Sequence, residues 1–365
     1  MRDLKEIRKD IDKIDNQLIE LFKQRMDCAR DVGIYKQANN IPVLNEGREN
    51  EILDAVEEKG GEYGASARLL YSNIMELSRA LQHNIVGSGK ELKSVINNAS
   101  TDIPSSGIKV AYQGIKGANG HEATLRLFPN GEAVNYKSFA DVFSAVDNGE
   151  VAFGVLPVEN SSAGSVSAVY DLILKHRFYI VKALDLPIDY CLAGLKQSAL
   201  YEQIAATLRR FSFATSRAAI AVLENGTESK PWSAIYCAHC ESEEYGLKVL
   251  DNHLQDNDEN TTRFIVIYKK LYIPEDANRI SLCFSLPHVT GSLYSLLCRF
   301  NSLGLNLTKI ESRPRQGRQF EYLFYLDFSG NVRSENVIEL VSQLSEEMPE
   351  FSFLGNYAEP EFPIK

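Results

Sequence analysis

The sequence lacks an excess of positive charge and a dense cysteine framework. Among its 365 residues, 39 are Lys or Arg and 49 are Asp or Glu, which gives a formal net charge of −10. No global basic field is available to hold nucleic acid. The six cysteines are too sparse to form the disulfide framework of a small secreted domain, so we expect reduced thiols. Cys237 and Cys240 form a single CxxC, which is weak support for zinc, and no metal site is expected.

Long hydrophobic runs are also missing. No stretch reaches the ~18 apolar residues that a membrane span requires. The first residues, MRDLKEIRKDID, are too rich in charge to form a secretory signal. We therefore predict a cytoplasmic protein that binds neither nucleic acid nor membrane. Its length and its 44% content of hydrophobic residues predict a multi-domain globular chain.

Residues 1–86 are predicted to form an all-α domain. They contain one proline, Pro42, and their apolar residues recur at intervals of three or four from Leu4 to Leu21. This heptad pattern is typical of a long helix with one buried seam, for which Asp3 is the predicted N-cap. Two further helices are predicted, at about 46–59 and 66–85. The seam of the long first helix requires a partner.

The composition changes twice along the rest of the chain. Residues 87–107 are rich in Gly, Ser, Asn and Asp and are predicted to be a flexible linker. Short apolar runs alternate with helical stretches over 108–270, which predicts an α/β domain. Residues 278–365 show the strand–helix–strand–strand–helix–strand order of a ferredoxin-like α+β unit.

Two cations of the first predicted helix, Arg25 and Lys36, are candidate ligands for one small anion. They are eleven residues apart, which places them within about 20° of one helix face and roughly 16 Å apart along the axis. Arg8 lies about 42 Å from Lys36 on a straight helix, so it reaches the same ligand only from an antiparallel partner helix. Solvated surface charge is the alternative interpretation for each cation.

The segments IRKDIDKID, QRMDCARDVGIYK, IPVLNEGREN and MELSRALQ closely resemble the all-helical chorismate mutase domain of bifunctional P-proteins. The resemblance covers residues 1–86 and implies an intertwined homodimer. It implies that cations clamp the carboxylates and the ether region of chorismate, and that a carboxylate holds its hydroxyl. The implied site residues are Arg8 from the partner subunit, Arg25, Lys36, Arg48, Glu49, Gln82, Ser78, and Asn45 in place of the usual aspartate.

The implied rearrangement of chorismate to prephenate needs no covalent intermediate, metal or redox cofactor, so no cofactor is expected. Holding the chair-like conformer and stabilising the separation of charge are sufficient. Arginine provides planar bidentate donors to carboxylates, whereas lysine provides a point charge. Asn45 can still donate and accept a hydrogen bond, so we expect it to have a modest effect on hydroxyl binding.

Polar residues follow an apolar run in GVLPVENSSAGSV and precede another in NTTRF; an ordinary turn and a strand edge are the alternative interpretations. Together with VAYQGIKGANG, LPIDYCL and EEYGLKVL, these segments resemble the prephenate dehydratase domain of P-proteins over about 108–270. The resemblance implies two subdomains like those of periplasmic binding proteins, with the site in their cleft. It implies that Thr262 assists departure of the hydroxyl and that the cleft is also lined by Asn160, Glu159, Ser161 and Arg263.

Two departures from the dehydratase pattern leave two functions open. Gly120 stands where that family has Ser or Thr, and no Ser-His-Pro-Gln motif follows Cys191. The first function is a bifunctional enzyme of phenylalanine biosynthesis that converts chorismate to prephenate and prephenate to phenylpyruvate. The alternative is a phenylalanine-regulated chorismate mutase with a degenerate dehydratase domain. A regulator without catalysis is disfavoured by the near-complete set of cations in the helical domain.

The segments HVTGSLYSLL and KIESRP of the ferredoxin-like unit resemble the two ligand-binding motifs of the ACT regulatory domain. Taken alone, each segment is also typical of a turn. The resemblance implies that phenylalanine binds at a subunit interface, with its carboxylate at a helix start, and inhibits the enzyme. The implied binding residues are Gly291, Ser292, Leu293, Glu311, Ser312, Arg313 and Pro314.

Overall fold

The computed structural model describes residues 2–194, 234–238, 248–251, 260–289, 291–315 and 321–359. The chain divides into two compact units. The first combines residues 1–98 with residues 282–352, and the second contains the described parts of 99–281 and 353–365. In the described part of the chain, no helix has both the length and the apolarity needed to cross a bilayer.

The first unit begins with four α-helices. They span Leu4–Asn39 (α1), Glu46–Gly60 (α2), Gly64–Val86 (α3) and Lys90–Asn97 (α4), with a 3₁₀ turn at Gly61–Tyr63. Helices α1 to α3 confirm the predicted all-α domain. Asp3 occupies the N-cap position of α1 but makes no side-chain capping bond, so the predicted cap is not formed.

The two halves of α1 have different surroundings. In its first half the apolar seam is exposed, with Ile14 53% and Leu18 53% accessible. In its second half α1 packs along α3, where Gly33 permits close approach because a Cβ there would lie 3.3 Å from the Gln82 Cα. The Gln37 side chain donates to the carbonyl of Ile85 at 2.6 Å. Within one chain, α1 therefore packs against α3 along its second half, whereas the apolar seam of its first half stays exposed.

Helix α4 lies in the segment that was predicted to be a flexible linker, so that prediction is wrong for Lys90–Asn97. An isolated helix of this length is marginal in water and needs tertiary contacts. Ile96 is buried, and Lys93 Nζ lies 2.7 Å from a carboxylate oxygen of Glu339. These contacts with distant parts of the chain stabilise a helix that local composition does not reveal.

The region between residues 99 and 281 is built from strands and helices, as predicted. Its strands are Ser106–Gln113 (β1), Asn130–Tyr136 (β2), Phe153–Asn160 (β3), Gly164–Ser165 (β4), Tyr179–Pro187 (β5), Tyr190–Gly194 (β6), Ala234–Ala238 (β7), Lys248–Asp251 (β8) and Thr261–Tyr268 (β9). Its described helices are Asn119–Leu127 (α5), Phe139–Asn148 (α6) and Ser167–His176 (α7).

Two sheets organise this region. The larger has the order β2-β1-β3-β9-β5, with β4 paired to β3, and the smaller has the order β7-β6-β8. Strand β1 is parallel to β2 and β3, whereas β9 is antiparallel to β3 and β5. The central strands are buried on both faces, which explains their nearly continuous apolar runs. The core includes Val110, Phe128, Phe153, Leu186 and Phe264.

The last segment confirms the predicted ferredoxin-like order. It contains Arg279–Ser285 (β10), Ser292–Ser302 (α8), Leu307–Pro314 (β11), Tyr322–Ser329 (β12), Glu335–Glu347 (α9) and Ser352–Tyr357 (β13). The sheet order is β11-β12-β10-β13, which makes β11 an edge strand. Phe300 of α8 packs edge-on against Phe328 of β12, with ring centroids 5.0 Å apart. This contact joins a helix to one face of the sheet.

Candidate functional site

Arg25 and Ser78 meet between α1 and α3. Arg25 Nη1 donates to Ser78 Oγ at 2.7 Å, and Ser78 Oγ donates to the carbonyl oxygen of Ile74 at 2.8 Å. Gln82 follows one turn later on the same helix face. Its Oε1 is buried and has no hydrogen-bond partner among the described residues. A buried amide oxygen without a partner costs about 1–3 kcal/mol, so a ligand that donates a hydrogen bond to it gains that energy.

Lys36 lies further along α1, in a partly desolvated position. Its Nζ donates to the carbonyl oxygen of Val43. Burial lowers the pKa of Lys36 below its usual value; the Glu49 carboxylate raises this pKa and the Arg79 guanidinium lowers it. Lys36, Glu49 and Arg79 therefore share one electrostatic environment. Glu49 itself forms an ion pair with Arg79.

The remaining predicted mutase residues lie at the surface. Asn45 is the N-cap of α2, and its side-chain oxygen accepts from the backbone N–H of Arg48 at 3.1 Å. The side chain of Arg48 is exposed and lies 2.9 Å from a carboxylate oxygen of Glu51. Arg8 is exposed on the first half of α1. Within one chain, the structure does not bring Arg8 to the other cations.

The predicted dehydratase residues Asn160 and Thr262 are paired across β3 and β9. Asn160 Nδ2 lies 2.9 Å from Thr262 Oγ1 and 2.7 Å from Asn260 Oδ1. Asn160 Oδ1 accepts from the backbone N–H groups of Ser162 and Ala163 at 3.0 and 2.8 Å. The amide is thus held at both ends, and it fixes the Thr262 oxygen as an acceptor.

Arg263 is surrounded by carboxylates. Its Nε lies 3.0 Å from Asp185 Oδ1 and 2.8 Å from Glu359 Oε1, and its Nη1 lies 3.6 Å from Glu159 Oε2. Burial lowers the pKa of Arg263, but the charges of Glu359 and Asp185 outweigh this and raise it above its usual value. The fourth predicted cleft residue, Ser161, accepts from the backbone N–H of Thr261 at 3.0 Å.

Gly120 lies in the first turn of α5, where there is no space for a side chain. A Cβ at this position would lie 2.9 Å from the backbone oxygen of Gln113. Real Cβ atoms do not approach a backbone oxygen so closely without a shift of the chain. Glycine at this position therefore belongs to the local packing of α5 against β1.

The predicted phenylalanine-binding residues occupy a helix start and an edge strand. Gly291 is the N-cap of α8 with a φ of +88°, a conformation that glycine adopts without steric cost. Ser292 Oγ donates to the carbonyl oxygens of Pro287 and Val289 at 2.8 and 3.0 Å. The Leu293 side chain is partly exposed.

The second predicted motif lies at the end of β11. Exposure alternates along this strand, so Ser312 and Pro314 are exposed whereas Glu311 and Arg313 are half-buried. Glu311 Oε2 lies 3.2 Å from Lys309 Nζ. The motif therefore presents polar groups on both faces of an edge strand.

Comparisons with known proteins find two domains in this chain. A chorismate mutase type II model matches residues 7–83, and a prephenate dehydratase model matches residues 110–271. A bifunctional chorismate mutase/prephenate dehydratase of Aquifex aeolicus is 28% identical over 380 aligned residues, 98% of each chain. An arogenate dehydratase/prephenate dehydratase of Arabidopsis thaliana is 32% identical over 73% of this chain and 77% of that protein.

The chain belongs to the bifunctional chorismate mutase/prephenate dehydratase family. A solved prephenate dehydratase from Arthrobacter aurescens, in complex with L-Phe, superposes with a TM-score of 0.59 and 25% identity. The match covers 69% of this chain and 90% of that one. Because both family models match, the comparisons favour the bifunctional interpretation over a mutase alone.

The chain contains one central residue that was not predicted from the sequence. Arg79 is 8% exposed and pairs with Glu49 and Glu76. Burial lowers the pKa of Arg79, but its carboxylate partners outweigh burial and raise it above the usual value. The available signal was its position in MELSRALQ, directly after Ser78 and three residues before Gln82.

Two sequence observations fall on residues outside the described part of the chain. His239 and Cys240 of the CxxC segment lie outside the described residues, and Cys237 is described only as part of strand β7. The missing Ser-His-Pro-Gln motif also concerns a stretch, 195–233, that lies outside them. In the parts of the chain that are described, no group of three or more His, Cys, Asp or Glu could hold a metal ion.

Proposed function

We propose that this protein catalyses two consecutive reactions of phenylalanine biosynthesis. The helical domain rearranges chorismate to prephenate, and the α/β domain converts prephenate to phenylpyruvate with loss of CO2 and hydroxide. The observation that carries the proposal is the match of both family models to one chain that aligns over 98% of its length with a bifunctional relative. Chorismate and prephenate are thus the proposed substrates.

In the mutase step, the cations hold the dianionic substrate in its reactive conformer. Arg25, preorganised by Ser78 at 2.7 Å, binds one carboxylate, and Arg48 assists from the start of α2. The Lys36 charge and the Gln82 amide stabilise the ether oxygen as negative charge develops there. The hydroxyl of chorismate is bound by Glu49, with Asn45 at the adjacent cap. Because the reaction is unimolecular, orientation and charge stabilisation supply the catalysis.

The mutase site requires a second copy of the chain. We propose a homodimer in which the exposed seam of α1 packs against its symmetry mate. Isolated apolar side chains on a surface are common, but a periodic row along several turns is typical of a helix interface. In an antiparallel arrangement, Arg8 of the partner subunit completes the set of cations around Arg25 and Lys36.

In the dehydratase step, the carbon–carbon bond to the departing carboxylate breaks and its electron pair enters the ring, expelling hydroxide from C4. Thr262 donates a hydrogen bond to that leaving oxygen. Its oxygen already accepts from Asn160, and no acceptor for the Thr262 hydroxyl hydrogen occurs among the described residues, so this hydrogen is directed to substrate. A whole proton is not transferred, because an alcohol is a poor acid.

The other predicted cleft residues have supporting roles. Ser161 ties β3 to Thr261 by a bond at 3.0 Å. Arg263 and Glu159 lie opposite each other across β3 and β9. Since carboxylates already surround Arg263, a prephenate carboxylate would compete with them for the guanidinium. We assign Arg263 to the wall of the cleft.

The C-terminal unit is proposed to be an ACT domain that binds phenylalanine and lowers activity. Support comes from its ferredoxin-like sheet order and from the related dehydratase solved in complex with L-Phe. The ligand carboxylate is bound by backbone N–H groups at the start of α8, beside Gly291. The other binding residues are Ser292, Leu293, Glu311, Ser312, Arg313 and Pro314. The cytoplasmic location stays a prediction of the sequence.

One coupled assay tests the proposal. The purified full chain is incubated with chorismate while chorismate, prephenate and phenylpyruvate are measured separately, with and without phenylalanine. We expect both conversions, chorismate to prephenate and prephenate to phenylpyruvate, and slower ones with phenylalanine present. Prephenate that accumulates without phenylpyruvate would establish the mutase-only alternative. Unchanged rates at saturating phenylalanine would contradict the regulatory assignment.

A further inference from the structure

A buried ionic cluster joins the mutase helices to the C-terminal helices within the first unit. Arg79 of α3 pairs with Glu49 of α2 and with Glu76 of its own helix, and its Nε lies 3.6 Å from Glu347 Oε1 of α9. Arg299 of α8 lies 2.7 Å from Glu76 Oε2 and also pairs with Glu347. Opposite charges thus alternate from Glu49 to the two C-terminal helices.

The cluster is shielded from solvent everywhere except at one end. The side chains of Arg79, Glu76 and Arg299 are each 10% exposed and that of Glu347 is 3% exposed, whereas that of Glu49 is 22% exposed. Ion pairs in such surroundings are screened far less than surface ion pairs. Removal of one charge therefore strongly affects the charges that are paired with it. The exposed end, Glu49, is the carboxylate proposed to bind the substrate hydroxyl.

The cluster is anchored mainly on the C-terminal side. Burial raises the pKa of Glu347, but the hydrogen bond from His83 and the charges of Arg299 and Arg79 outweigh burial and lower this pKa to about 2. His83 Nε2 lies 2.6 Å from Glu347 Oε1. A cavity of about 640 Å³ opens beside the cluster, with Glu76 and Arg299 in its wall. Ion pairs rather than continuous apolar packing therefore join the helices at this point.

We propose that Arg79 is a positioning residue for the mutase reaction, held in place by Glu347 and Arg299 of the C-terminal segment. The inference rests on the proposed mutase function of Glu49. Arg79 does not touch substrate. Its Nη1 pairs with Glu49 and its Nη2 with Glu76, so the guanidinium holds the Glu49 carboxylate beside α3, while Glu347 Oε1 lies 3.6 Å from Nε. Helices α8 and α9 thus help to position the proposed mutase residue Glu49 through Arg79.

Competition for Glu49 explains why this positioning matters. Lys36 and Glu49 lie close enough for the carboxylate to influence the Lys36 pKa. Without Arg79, Glu49 loses that ion-pair partner but still influences Lys36 electrostatically, and an ion pair between Glu49 and Lys36 would occupy both groups that chorismate needs. Substrate binding would then have to break that pair, so the loss falls first on KM for chorismate.

Full-length variants test this role. We expect Arg79→Gln to raise KM for chorismate about tenfold, with a smaller fall in kcat. Glu347→Gln should change KM in the same direction by about threefold, because Arg79 keeps its charge but loses its anchor. Arg79→Lys should recover part of the loss, since it restores charge but not the guanidinium. Conversion of supplied prephenate to phenylpyruvate should stay within about twofold of wild type in every variant.

Arg68 provides the matched control. It also joins α3 to α2, with Nη1 2.7 Å from Asp54 and 3.1 Å from Glu57, but its side chain is 35% exposed. We expect Arg68→Gln to leave both mutase constants unchanged, because exposed pairs contribute little. Thermal unfolding and dehydratase activity, measured on the same preparations, establish that each variant is folded.

The outcomes separate the inference from the proposed function. Wild-type constants in Arg79→Gln would overturn the inference, and so would an equal loss in Arg68→Gln, which would indicate a general requirement for α2–α3 ion pairs. A loss in Arg79→Gln with no change in Glu347→Gln would overturn the C-terminal contribution. A wild-type chain that leaves chorismate unchanged would instead overturn the proposed mutase function, and the inference with it.

Discussion

Asn160 Nδ2 lies 2.9 Å from Thr262 Oγ1, while the oxygen of the same amide accepts two backbone N–H groups. The hydroxyl oxygen is therefore used as an acceptor, which leaves its hydrogen for the proposed bond to the leaving oxygen. We expect Thr262→Val to lower the rate of phenylpyruvate formation by about 10²-fold or more. Thr262→Ser should retain most of the rate, because it keeps the hydroxyl.

The mutase activity of the same preparations is the internal control for Thr262. It should be unchanged in both variants, since the two reactions use different domains. A Thr262→Val enzyme with full dehydratase activity would contradict the assignment of this hydroxyl to the leaving oxygen.

Restoring the hydroxyl of the family pattern at position 120 should not help this protein. A Cβ at Gly120 would meet the Gln113 oxygen at 2.9 Å, so Gly120→Ala and Gly120→Ser should each lower the free energy of unfolding by about 1–3 kcal/mol. Gly47→Ala is the matched control in α2, because its Cβ would have 3.7 Å to its nearest neighbour. There we expect a gain of up to about 1 kcal/mol. Urea unfolding measures both; equal effects would contradict the crowding at Gly120.

The ionic cluster around Glu347 should make the free energy of unfolding depend on pH in the acid range. Its folded pKa of about 2 lies below its usual 4.5, so the unfolded chain binds more protons in this window. The stabilisation is complete above pH 4.5 and is lost as pH falls toward 2, by roughly 3 kcal/mol in total. Glu347→Gln should flatten this part of the curve of unfolding free energy against pH. An unchanged slope in that variant would contradict the prediction.

Charge in the exposed seam of α1 should prevent dimer formation. Leu18 is 53% exposed in the single chain, and burying a carboxylate there against a second helix would be costly. We expect Leu18→Glu to yield monomers in analytical ultracentrifugation and to lower mutase activity at least tenfold, because Arg8 of the partner subunit is then absent. Gln17→Glu adds the same charge one position away on the exposed face and should leave the dimer intact. A fully active monomer would exclude the shared site.

The start of α8 should be sensitive to any side chain. Gly291 has a φ of +88°, where other residues are strained, and among the described residues outside its chain neighbours no atom lies within 4 Å of a Cβ there. We expect Gly291→Ala to weaken phenylalanine binding about fivefold or more in calorimetry, because the strain shifts the N–H groups that bind the carboxylate. Gly304→Ala is the matched control, with a φ of +65° and equally open space. Equal losses of affinity would indicate that the effect is not local.

Local periodicity was sufficient to predict much of this fold. Helices α1 to α3 follow from apolar spacing, and the ferredoxin-like order follows from the alternation of short strands and helices in the last segment. Helix α4 did not emerge in this way, because its stabilising pair, Lys93 with Glu339, joins residues 246 positions apart. A composition that is typical of linkers hid a helix whose partners lie at the other end of the chain.

The candidate sites likewise contain some residues that were predicted from the sequence and others that were not. Asn160 and Thr262 were predicted together from the resemblance, and strand pairing brings them into contact. Arg79 was not predicted, because its importance depends on Glu347 of α9, which sequence spacing cannot place. Gly120 was predicted as a missing hydroxyl, whereas the structure adds the reason that a side chain does not fit. Long-range contacts and backbone clearance are the two properties that a single sequence does not report.

The joining of residues 1–98 with residues 282–352 in the first unit has a consequence for biosynthesis on the ribosome. His83 and Glu347 are 264 positions apart, so at ordinary translation rates the partner of α3 emerges on the order of tens of seconds later. During that interval this face of α3 presents the charged or polar side chains of Glu76, Arg79 and His83. Exposed ionic groups keep this surface of the nascent chain hydrated. We therefore expect little aggregation before the last helix of the unit has been synthesised.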